Sequence, residues 1–391
     1  MDYNKILSDK IKNIKPSGIR KFFDIAAQTE GVISLGVGEP DFPTPWSVRK
    51  VAIDTIERKR TVYTANPGLI ELRKTICDRL DKKMGLKYDT DEVIVTVGGS
   101  EAIDLAIRAI IDPGDEVLVV EPSFVCYAPI TELSDGVVVP LETSADTDFK
   151  LTAETLRSKI TDKTKMLILP YPNNPTGGIM TKEELMPIAE VLRDTNIVVL
   201  SDEIYSELTY GGETHTSIAQ LDGMKERTII VNGFSKAYAM TGWRLGYVTG
   251  PKPIIEQMLK LHQYAIMSSP TISQYAGIEA IKHCDEEITK MVKEYDARRR
   301  LIVKEFNRMG LTCFEPKGAF YVFPCIKSTG LSSEEFCARL VEEYKVAIVP
   351  GNAFGSSGEG YVRVSYAYSI NHILEALKRI EAFLKSLENG K

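Results

Sequence analysis

The sequence predicts an α/β protein with a large, doubly wound, mainly parallel seven-stranded sheet domain and a smaller α+β domain. The first observation behind this prediction is a set of short runs rich in β-branched residues, at 93–97, 116–120, 137–140, 166–170, 197–201, 228–231 and 247–249. Several runs are continuously apolar, which is typical of strands buried on both faces of a parallel sheet. The second observation is that amphipathic stretches separate the runs, and such alternation indicates βαβ crossovers.

The C-terminal part of the chain has a different pattern, in which helical stretches flank short candidate strands. The predicted helices cover 298–309 and 373–387, and the predicted strands cover 318–324, 346–349 and 361–365. Ser332 and Glu335 form a candidate capping box for a further helix through residue 344. This third observation predicts the smaller α+β domain.

We place the boundary between the two domains near residue 285. The large domain then covers residues 46–285, and the smaller domain combines residues 286–391 with an N-terminal arm, residues 1–45. We expect this arm to pack on the smaller domain or on a partner subunit. A chain of 391 residues suits such a division, because an ordinary domain has ~100–200 residues.

Composition excludes several classes of protein. The net charge of −6 argues against nonspecific binding to nucleic acid, which needs a basic surface. No apolar stretch approaches the ~20 residues that span a bilayer, and the N-terminus has no signal-peptide pattern. The six cysteines and four histidines are scattered, so we expect reduced thiols in a cytoplasmic protein, no metal site and no membrane partner.

The first of four polar clusters is Gly98-Gly-Ser-Glu101, which directly follows the run 93–97. It opens a predicted helix, 101–111, whose apolar residues share one face: Ala102, Leu105, Ala106, Ala109 and Ile110. Free N–H groups at the start of a helix can cradle a phosphate, and glycines allow close approach. An ordinary strand-to-helix turn explains the cluster equally well. The pattern matches neither the dinucleotide nor the nucleoside-triphosphate glycine motif.

The second and third clusters follow the runs 166–170 and 197–201. Pro172-Asn-Asn-Pro-Thr-Gly177 is by default a turn, although Asn174 could offer an amide donor to a ligand oxygen. In Ser201-Asp-Glu-Ile-Tyr205, Asp202 ends a buried strand, where an unpaired carboxylate is costly. A protonated ring nitrogen would be a suitable partner. A solvated, helix-capping aspartate is the alternative.

The fourth cluster, residues 232–244, follows the run 228–231 and contains Lys236 and Arg244. Lys236 lies among small and aromatic residues with no adjacent acid, which favours the nucleophilic amine that Schiff-base chemistry requires. Arg244 is a forked cation suited to phosphate. Because ligands bind beyond the carboxyl ends of strands in open α/β sheets, the four clusters could meet in one crevice. Together they describe a site for pyridoxal 5'-phosphate (PLP).

With these motifs in place, the sequence closely resembles the PLP-dependent, fold-type-I aminotransferases of class I and II, nearly end to end. The matching segments are residues 34–42, Tyr63 with Gly68, 71–73, 174–177, 201–205, 235–236, 242–244 and 361–363. Within the family, the chain is most similar to bacterial and archaeal alanine, aromatic or N-acetyl-diaminopimelate aminotransferases. This similarity lies in the segments 17–23, 121–124 and 358–363. The resemblance implies PLP fold type I, amino-acid metabolism and a homodimer with shared active sites.

The resemblance also implies a role for individual residues. Lys236 carries the cofactor and moves the α-proton, and Asp202 keeps the pyridine nitrogen protonated, so that the ring accepts electrons. Tyr205 and Asn174 bond the phenolic oxygen, and Phe124 stacks on the ring. The residues implied at the phosphate are Gly99, Ser100, Glu101, Ser235 and Arg244, with Tyr63 from the other subunit. The residues implied at the substrate are Arg363, which grips the α-carboxylate, and Gly38, Asn174 and Ile19.

Two positions depart from the family pattern. Gly233 stands where many relatives have a serine ligand to the phosphate, so phosphate binding would depend more on Ser235 and Arg244. Ser17-Gly-Ile19 puts an apolar residue where aspartate aminotransferases of prokaryotes often have Ser-x-Thr. The apolar Ile19 favours a small or hydrophobic donor over a dicarboxylate.

The function predicted from these residues is ping-pong transamination from an L-amino acid, such as alanine or an aromatic one, to a 2-oxo acid such as 2-oxoglutarate. The nearest alternative is β-elimination by a PLP-dependent C–S lyase on the same fold. A PLP-sensing regulator is a distant alternative, because the motifs begin near residue 34 and leave no room for a DNA-binding domain. A nicotinamide dehydrogenase lacks its dinucleotide motif here.

Overall fold

The computed structural model describes residues 1–16, 18–19 and 30–389. The helices are α1 (Tyr3–Ile6), α2 (Asp9–Asn13), α3 (Trp46–Glu57), α4 (Ile70–Met84), α5 (Gly99–Ile110), α6 (Tyr127–Leu133), α7 (Ala153–Lys159), α8 (Lys182–Leu192), α9 (Lys252–Ala265), α10 (Thr271–His283), α11 (Asp285–Arg308), α12 (Ser333–Tyr344) and α13 (Ile370–Asn389). The strands are β1 (Ile33–Ser34), β2 (Val93–Thr96), β3 (Glu116–Glu121), β4 (Val137–Glu142), β5 (Thr164–Leu169), β6 (Val198–Asp202), β7 (Thr228–Gly233), β8 (Gly246–Thr249), β9 (Tyr321–Val322), β10 (Val346–Ala347), β11 (Val349–Pro350) and β12 (Val362–Ser365).

A seven-stranded sheet in the order β2-β8-β7-β6-β5-β3-β4 forms the large layer, which confirms the predicted α/β class. Strands β3 to β7 run parallel to their neighbours within that group, whereas β8 is antiparallel to both β2 and β7. Residues 234–245 connect β7 to β8 without a crossover helix. A parallel return needs such a crossover, so this direct connection makes β8 antiparallel.

Helices cover both faces of the sheet, because successive residues of each strand point to opposite sides. Val117 and Val119 of β3 pack on the face that carries α5 and α9. Leu118 and Val120 pack on the opposite face, under α7 and α8. This explains the continuously apolar runs, since both sides of each strand are buried.

The C-terminal part contains α11, α12 and α13 beside a three-stranded antiparallel sheet in the order β11-β12-β9. The predicted single strand at 346–349 was wrong. Val346 and Ala347 pair with β1, whereas Val349 and Pro350 pair with β12, so the chain changes sheets at Ile348. The predicted strand at 318–324 shortens to Tyr321–Val322, and the helix predicted from residue 298 begins at Asp285.

The N-terminal arm contacts both parts of the protein. β1 pairs with β10, and Leu35 joins the apolar core that α11 and α13 also form. Farther toward the N-terminus, the Lys10 ammonium contacts the Asp135 carboxylate at the end of α6. Ser332 caps α12 by accepting from the N–H of Glu335, which is one of the two bonds of the predicted capping box. The domain boundary near residue 285 stays a prediction.

Candidate active site

A cavity of about 300 Å³ lies beyond the carboxyl ends of β5, β6 and β7. The four polar clusters predicted from the sequence meet there, because these strand ends share one edge of the sheet. The residues that line it are Ile19, Gly38, Gly99, Ser100, Ile103, Phe124, Tyr127, Pro170, Pro172, Asn174, Asp202, Ile204, Tyr205, Ser235, Lys236, Arg244, Tyr321 and Arg363.

The start of α5 forms one wall of the cavity and leaves its first N–H groups without a side-chain cap. Gly98 precedes the helix with a φ of 78°, and no side chain bonds to the first turn. A Cβ on Gly98 would lie 2.7 Å from Arg244 Nη2, and a Cβ on Gly246 would lie 2.6 Å from the Gly98 carbonyl carbon. Only glycines permit this approach of backbone and guanidinium, which gives free N–H donors beside a cation.

Glu101 is a predicted cofactor residue whose side chain does not line the cavity. Its carboxylate lies 2.6 Å from Nδ1 of the buried His262 and also accepts from the N–H of Val97. The side chain therefore folds back onto the strand and α9. What Glu101 can offer at the cavity is its backbone N–H in the first turn of α5.

Gly233, one of the two departures from the family pattern, lies in a tightly packed place. A Cβ there would lie 3.0 Å from Ile204 Cδ1 and 3.1 Å from both Gly246 Cα and Leu245 O. These contacts are closer than ordinary van der Waals distances, so a serine would require its neighbours to move by a few tenths of an ångström. Ser100, Ser235 and Arg244 are the polar side chains that line the cavity here.

Asp202 places a buried carboxylate on the floor of the cavity. Its oxygens accept from the Tyr127 hydroxyl at 2.7 Å and from the N–H of Ile204 at 3.2 Å. Burial raises the pKa of the carboxyl, and the Tyr127 hydroxyl opposes this effect. In the described part of the chain no cation forms an ion pair with Asp202, so a cationic ligand would be its natural partner.

Glu203 anchors the strand end that carries Asp202. It is fully buried and points to the opposite face of β6, where it accepts from Ser201 at 2.8 Å and from Ser217 at 2.5 Å. His215 Nε2 lies 2.9 Å from its other oxygen. This network fixes the backbone from which Asp202 projects.

Lys236 follows β7 and projects its amine into the cavity. Nζ donates to the carbonyl of Gly38 at 2.6 Å. Burial and, after it, the nearby Arg363 guanidinium lower the pKa of this amine to about 8. No carboxylate within the described ranges forms an ion pair with it. A considerable fraction of the amine is therefore uncharged near neutral pH, as a nucleophile requires.

This lowered pKa predicts how the cofactor-free protein takes up PLP. Below pH 8 the uptake rate should rise about tenfold per pH unit, because only the uncharged amine reacts, and it should level off above pH 8. The visible absorption of the bound cofactor would report this rate in stopped-flow experiments. A plateau that begins only near the ordinary lysine value of 10.5 would contradict the prediction.

Arg363 is a buried cation on the opposite side of the cavity. Its Nη1 donates to Asn174 Oδ1 at 2.9 Å and its Nη2 to the carbonyl of Gly36 at 2.5 Å. Nε has no partner in the structure, although the side chain is only 3% exposed. The guanidinium forms no ion pair with any described residue, and a carboxylate ligand would satisfy it. Since Asn174 Oδ1 accepts from Arg363, the Asn174 amide nitrogen is left to donate into the cavity.

The sequence analysis missed two tyrosines that line the cavity. Tyr127 bonds Asp202, and the Tyr321 hydroxyl lies 2.8 Å from that of Tyr205. Tyr127 was hidden in an ordinary helix start, and Tyr321 in the apolar strand of the smaller domain. The signal available for Tyr127 was its position just after the matched segment 121–124, whereas Tyr321 lay in the predicted strand 318–324, which matched no motif.

The remaining predicted residues divide into wall and surface. Phe124 and Ile19 line the cavity, and Ile19 packs with Val349 and Phe354. Ser17 and residues 20–23, which also carried part of the resemblance, lie outside the described residues. Tyr63 is 81% exposed and does not line the cavity of its own chain.

Two further findings concern the described residues only. No group of three or more His, Cys, Asp or Glu side chains among them could hold a metal ion. None of their helices is long and apolar enough to cross a membrane.

Comparison with known proteins gives one family. The family model for aminotransferases of class I and II matches residues 30–380. A Bacillus subtilis protein named as the aminotransferase YugH is 53% identical to this chain, over 97% of this chain and 98% of its own length. An aspartate aminotransferase of Pyrococcus abyssi is 46% identical to this chain, and the match covers 97% of this chain and 98% of that protein. The crystal structure of an aromatic aminotransferase from Pyrococcus horikoshii has a TM-score of 0.90 at 43% identity, with 95% of this chain and 99% of that one covered.

Proposed function

The chain belongs to the aminotransferases of class I and II, and we propose that it binds PLP through Lys236 and transfers the amino group of a small or hydrophobic L-amino acid to a 2-oxo acid such as 2-oxoglutarate. It is an enzyme, a transaminase. One observation supports the assignment of the cofactor and of the site. The cations that line the cavity, Lys236, Arg244 and Arg363, have no carboxylate partner among the described residues, and Asp202 on the same cavity has no cationic partner among them.

The donors in the cavity fit this cofactor. A phosphate would meet the free N–H groups at the start of α5, the hydroxyls of Ser100 and Ser235, and Arg244. A ring nitrogen that carries a proton would satisfy Asp202, whose burial otherwise penalises its charge. A ring oxygen would accept from Asn174 and Tyr205, and Phe124 offers an aromatic surface on the wall.

When bound, PLP supplies an aldehyde carbon that accepts the amino group and a ring that withdraws electrons from the substrate Cα. Arg363 binds and orients the substrate carboxylate with two parallel N–H donors. Lys236 would take the proton from the substrate Cα, hold it at Nζ and give it up to the carbon that the cofactor supplies. A pKa of about 8 allows this amine both to gain and to lose a proton near neutral pH. Asp202 keeps the ring nitrogen protonated.

The proposed donor class rests on the charges in the cavity. Its cations are Lys236, Arg244 and Arg363, and each already has a proposed role toward the cofactor or the substrate α-carboxylate. The described lining offers no further cation for the second carboxylate of a dicarboxylate donor. The wall at Ile19 is apolar, since this side chain packs with Val349 and Phe354. Relatives of similar identity are named for both aspartate and aromatic substrates, so identity alone does not select the donor.

A half-reaction tests the proposed function. The holoenzyme is mixed separately with alanine, phenylalanine, tyrosine, aspartate, glutamate and cysteine, without a 2-oxo acid, while the visible cofactor band and ammonia are followed. We expect the band to disappear with an equal amount of 2-oxo acid and no ammonia, fastest with an apolar donor. Ammonia and pyruvate from cysteine with an intact band would instead identify a C–S lyase.

Replacing Arg363 with lysine should raise KM for the amino donor by about 10²-fold or more. Lysine keeps the charge but loses the forked pair of donors, and the loss of a paired, buried charge contact costs about 2–5 kcal/mol. Steady-state kinetics with the preferred donor would measure the change. Arg308→Lys, an exchange in a surface pair with Glu381, is the matched control and should leave KM unchanged.

We also propose that the enzyme is a homodimer. Exposed apolar side chains lie near one another, because Thr271 Oγ1 bonds the Val62 carbonyl and Asn66 bonds the Met267 carbonyl. The exposed side chains of this surface are Val62, Tyr63, Tyr264 and Met267. A second copy of the chain would cover them and bring Tyr63 to the phosphate of its partner.

Sedimentation at twice the chain mass, and weaker PLP binding by Tyr63→Phe, are the expected results for this homodimer. A monomer with full PLP affinity would contradict the proposal.

A further inference from the structure

Tyr321 is a buried residue whose position in the smaller sheet places it beside Arg363. β9 pairs with β12 so that Tyr321 lies opposite Ser365. Arg363 is two residues from Ser365 along β12 and therefore lies on the same face of the sheet. The Arg363 Cζ atom lies 4.6 Å from the centroid of the Tyr321 ring. The register of this sheet therefore brings the phenol under the guanidinium.

The Tyr321 hydroxyl also contacts groups from two other segments. It lies 2.8 Å from the hydroxyl of Tyr205, which follows β6. A Cβ on Gly38 would lie only 2.2 Å from the Tyr321 oxygen, so glycine is required for this approach. The carbonyl of Gly38 in turn accepts from Lys236 Nζ. The Tyr321 phenol thus contacts three elements of the site. They are Arg363, proposed to bind the substrate carboxylate, Tyr205, proposed to bind the ring oxygen, and the loop at Gly38, whose carbonyl accepts from Lys236.

The hydrogen bond between the two tyrosines has a direction that a ligand would set. Each phenol has one proton to donate, and in the described part of the protein the two hydroxyls bond only each other. If Tyr205 donates to a ligand oxygen, its own oxygen can still accept, and the Tyr321 hydroxyl is the donor within reach. Bonds in such a chain strengthen one another in a buried site.

Arg363 favours the same direction. Burial raises the pKa of the Tyr321 hydroxyl, and the guanidinium above the ring opposes that rise. The pKa of the Tyr205 hydroxyl is also raised by burial, with Tyr321 raising it further and Arg363 opposing the rise. A phenol next to a cation is the better donor of the two.

We propose that Tyr321 is a positioning residue that donates to Tyr205 and thereby fixes the Tyr205 hydroxyl as a donor to the ring oxygen of the cofactor. This inference rests on the proposed function, since it assumes that PLP occupies the cavity. The donated bond stabilises negative charge on the ring oxygen. It therefore lowers the pH at which the visible band of the bound cofactor titrates. Tyr321 acts on that midpoint only through Tyr205.

Other charged or titratable groups around Tyr205 must remain constant in the test. They are Asp202 from β6, Lys236 after β7, Arg244 before β8, Arg363 from β12, Tyr127 from α6 and Glu39 from the loop after β1. A double-mutant cycle with Tyr→Phe exchanges leaves all of them unchanged. It isolates the coupling between the two hydroxyls.

The experiment is a pH titration of the visible band in substrate-free holoenzyme for wild type, Tyr321→Phe, Tyr205→Phe and the double variant. Tyr321→Phe should raise the midpoint by about 0.3–1 pH unit, the size expected for one hydrogen bond. In the Tyr205→Phe background the same exchange should have no effect. Tyr366→Phe is the matched control. It removes another buried hydroxyl of the smaller domain, bonded to Ala319 outside the cavity, and should leave the midpoint unchanged.

Three outcomes would overturn the inference: no shift with Tyr321→Phe, an equal shift in both backgrounds, or an equal shift with Tyr366→Phe. If Tyr321→Phe does not fold, 3-fluorotyrosine at position 321 retains the packing and makes the donor more acidic. The midpoint should then fall, and an unchanged midpoint would overturn the inference. A wild-type protein that binds no PLP or shows no titrating band would instead refute the proposed function.

Discussion

Lys236→Ala should abolish multiple turnover, with a loss in kcat of at least about 10⁴-fold, the upper end of what a positioned proton-transfer group contributes. The exchange removes both the amine that binds the cofactor and the base that moves the Cα proton. No other amine lines the described cavity, so nothing is in place to substitute for it. Steady-state transamination with the preferred donor would measure the loss.

A second readout separates the chemistry of Lys236 from any effect on folding. After borohydride reduction, the wild-type peptide that contains residue 236 should gain the mass of the reduced cofactor, and the variant should not. Lys317→Ala, which removes a surface lysine paired with Glu213, should keep both turnover and labelling. Normal turnover in Lys236→Ala would refute the assignment of this lysine.

Asp202→Asn should lower kcat by about 10²–10⁴-fold, because breaking a buried charge pair costs about 3–5 kcal/mol. Asparagine keeps the shape, and its amide can accept from the Ile204 N–H and donate to the Tyr127 oxygen, but it cannot hold a proton on the ring nitrogen by charge. The chain holds this position firmly, since Glu203 and its partners fix the end of β6. Single-turnover kinetics would place the loss in the proton-transfer step rather than in binding.

The control for this exchange is Asp115→Asn at the amino end of β3, the opposite edge of the sheet. Asp115 pairs with Lys165 and accepts from the N–H of Asp112, far from the cavity-lining residues. It should leave kcat unchanged. An Asp202→Asn variant with a wild-type rate would mean that no charge at this position supports the reaction.

The sequence alone predicted the main sheet and the meeting of four distant polar clusters. The reason is local: apolar runs of strand length identify buried strands, and each cluster follows such a run directly. Because parallel strands place their carboxyl ends at one edge, order along the chain sufficed to bring Asn174, Asp202 and Lys236 together. The residue types at the four clusters predicted PLP as the cofactor, and the missing dinucleotide and triphosphate motifs argued against a nucleotide.

Tertiary structure decided what depends on contacts between distant segments. Glu101 turns to His262, which is 161 residues away, and so leaves the cavity. Tyr321 enters it by a bond to Tyr205 across 116 residues. The split of residues 346–349 between two sheets follows from pairing with β1 and β12, which the run itself does not encode. Sequence patterns report which face of an element is buried, whereas the identity of the partner on that face is determined only when the whole chain packs.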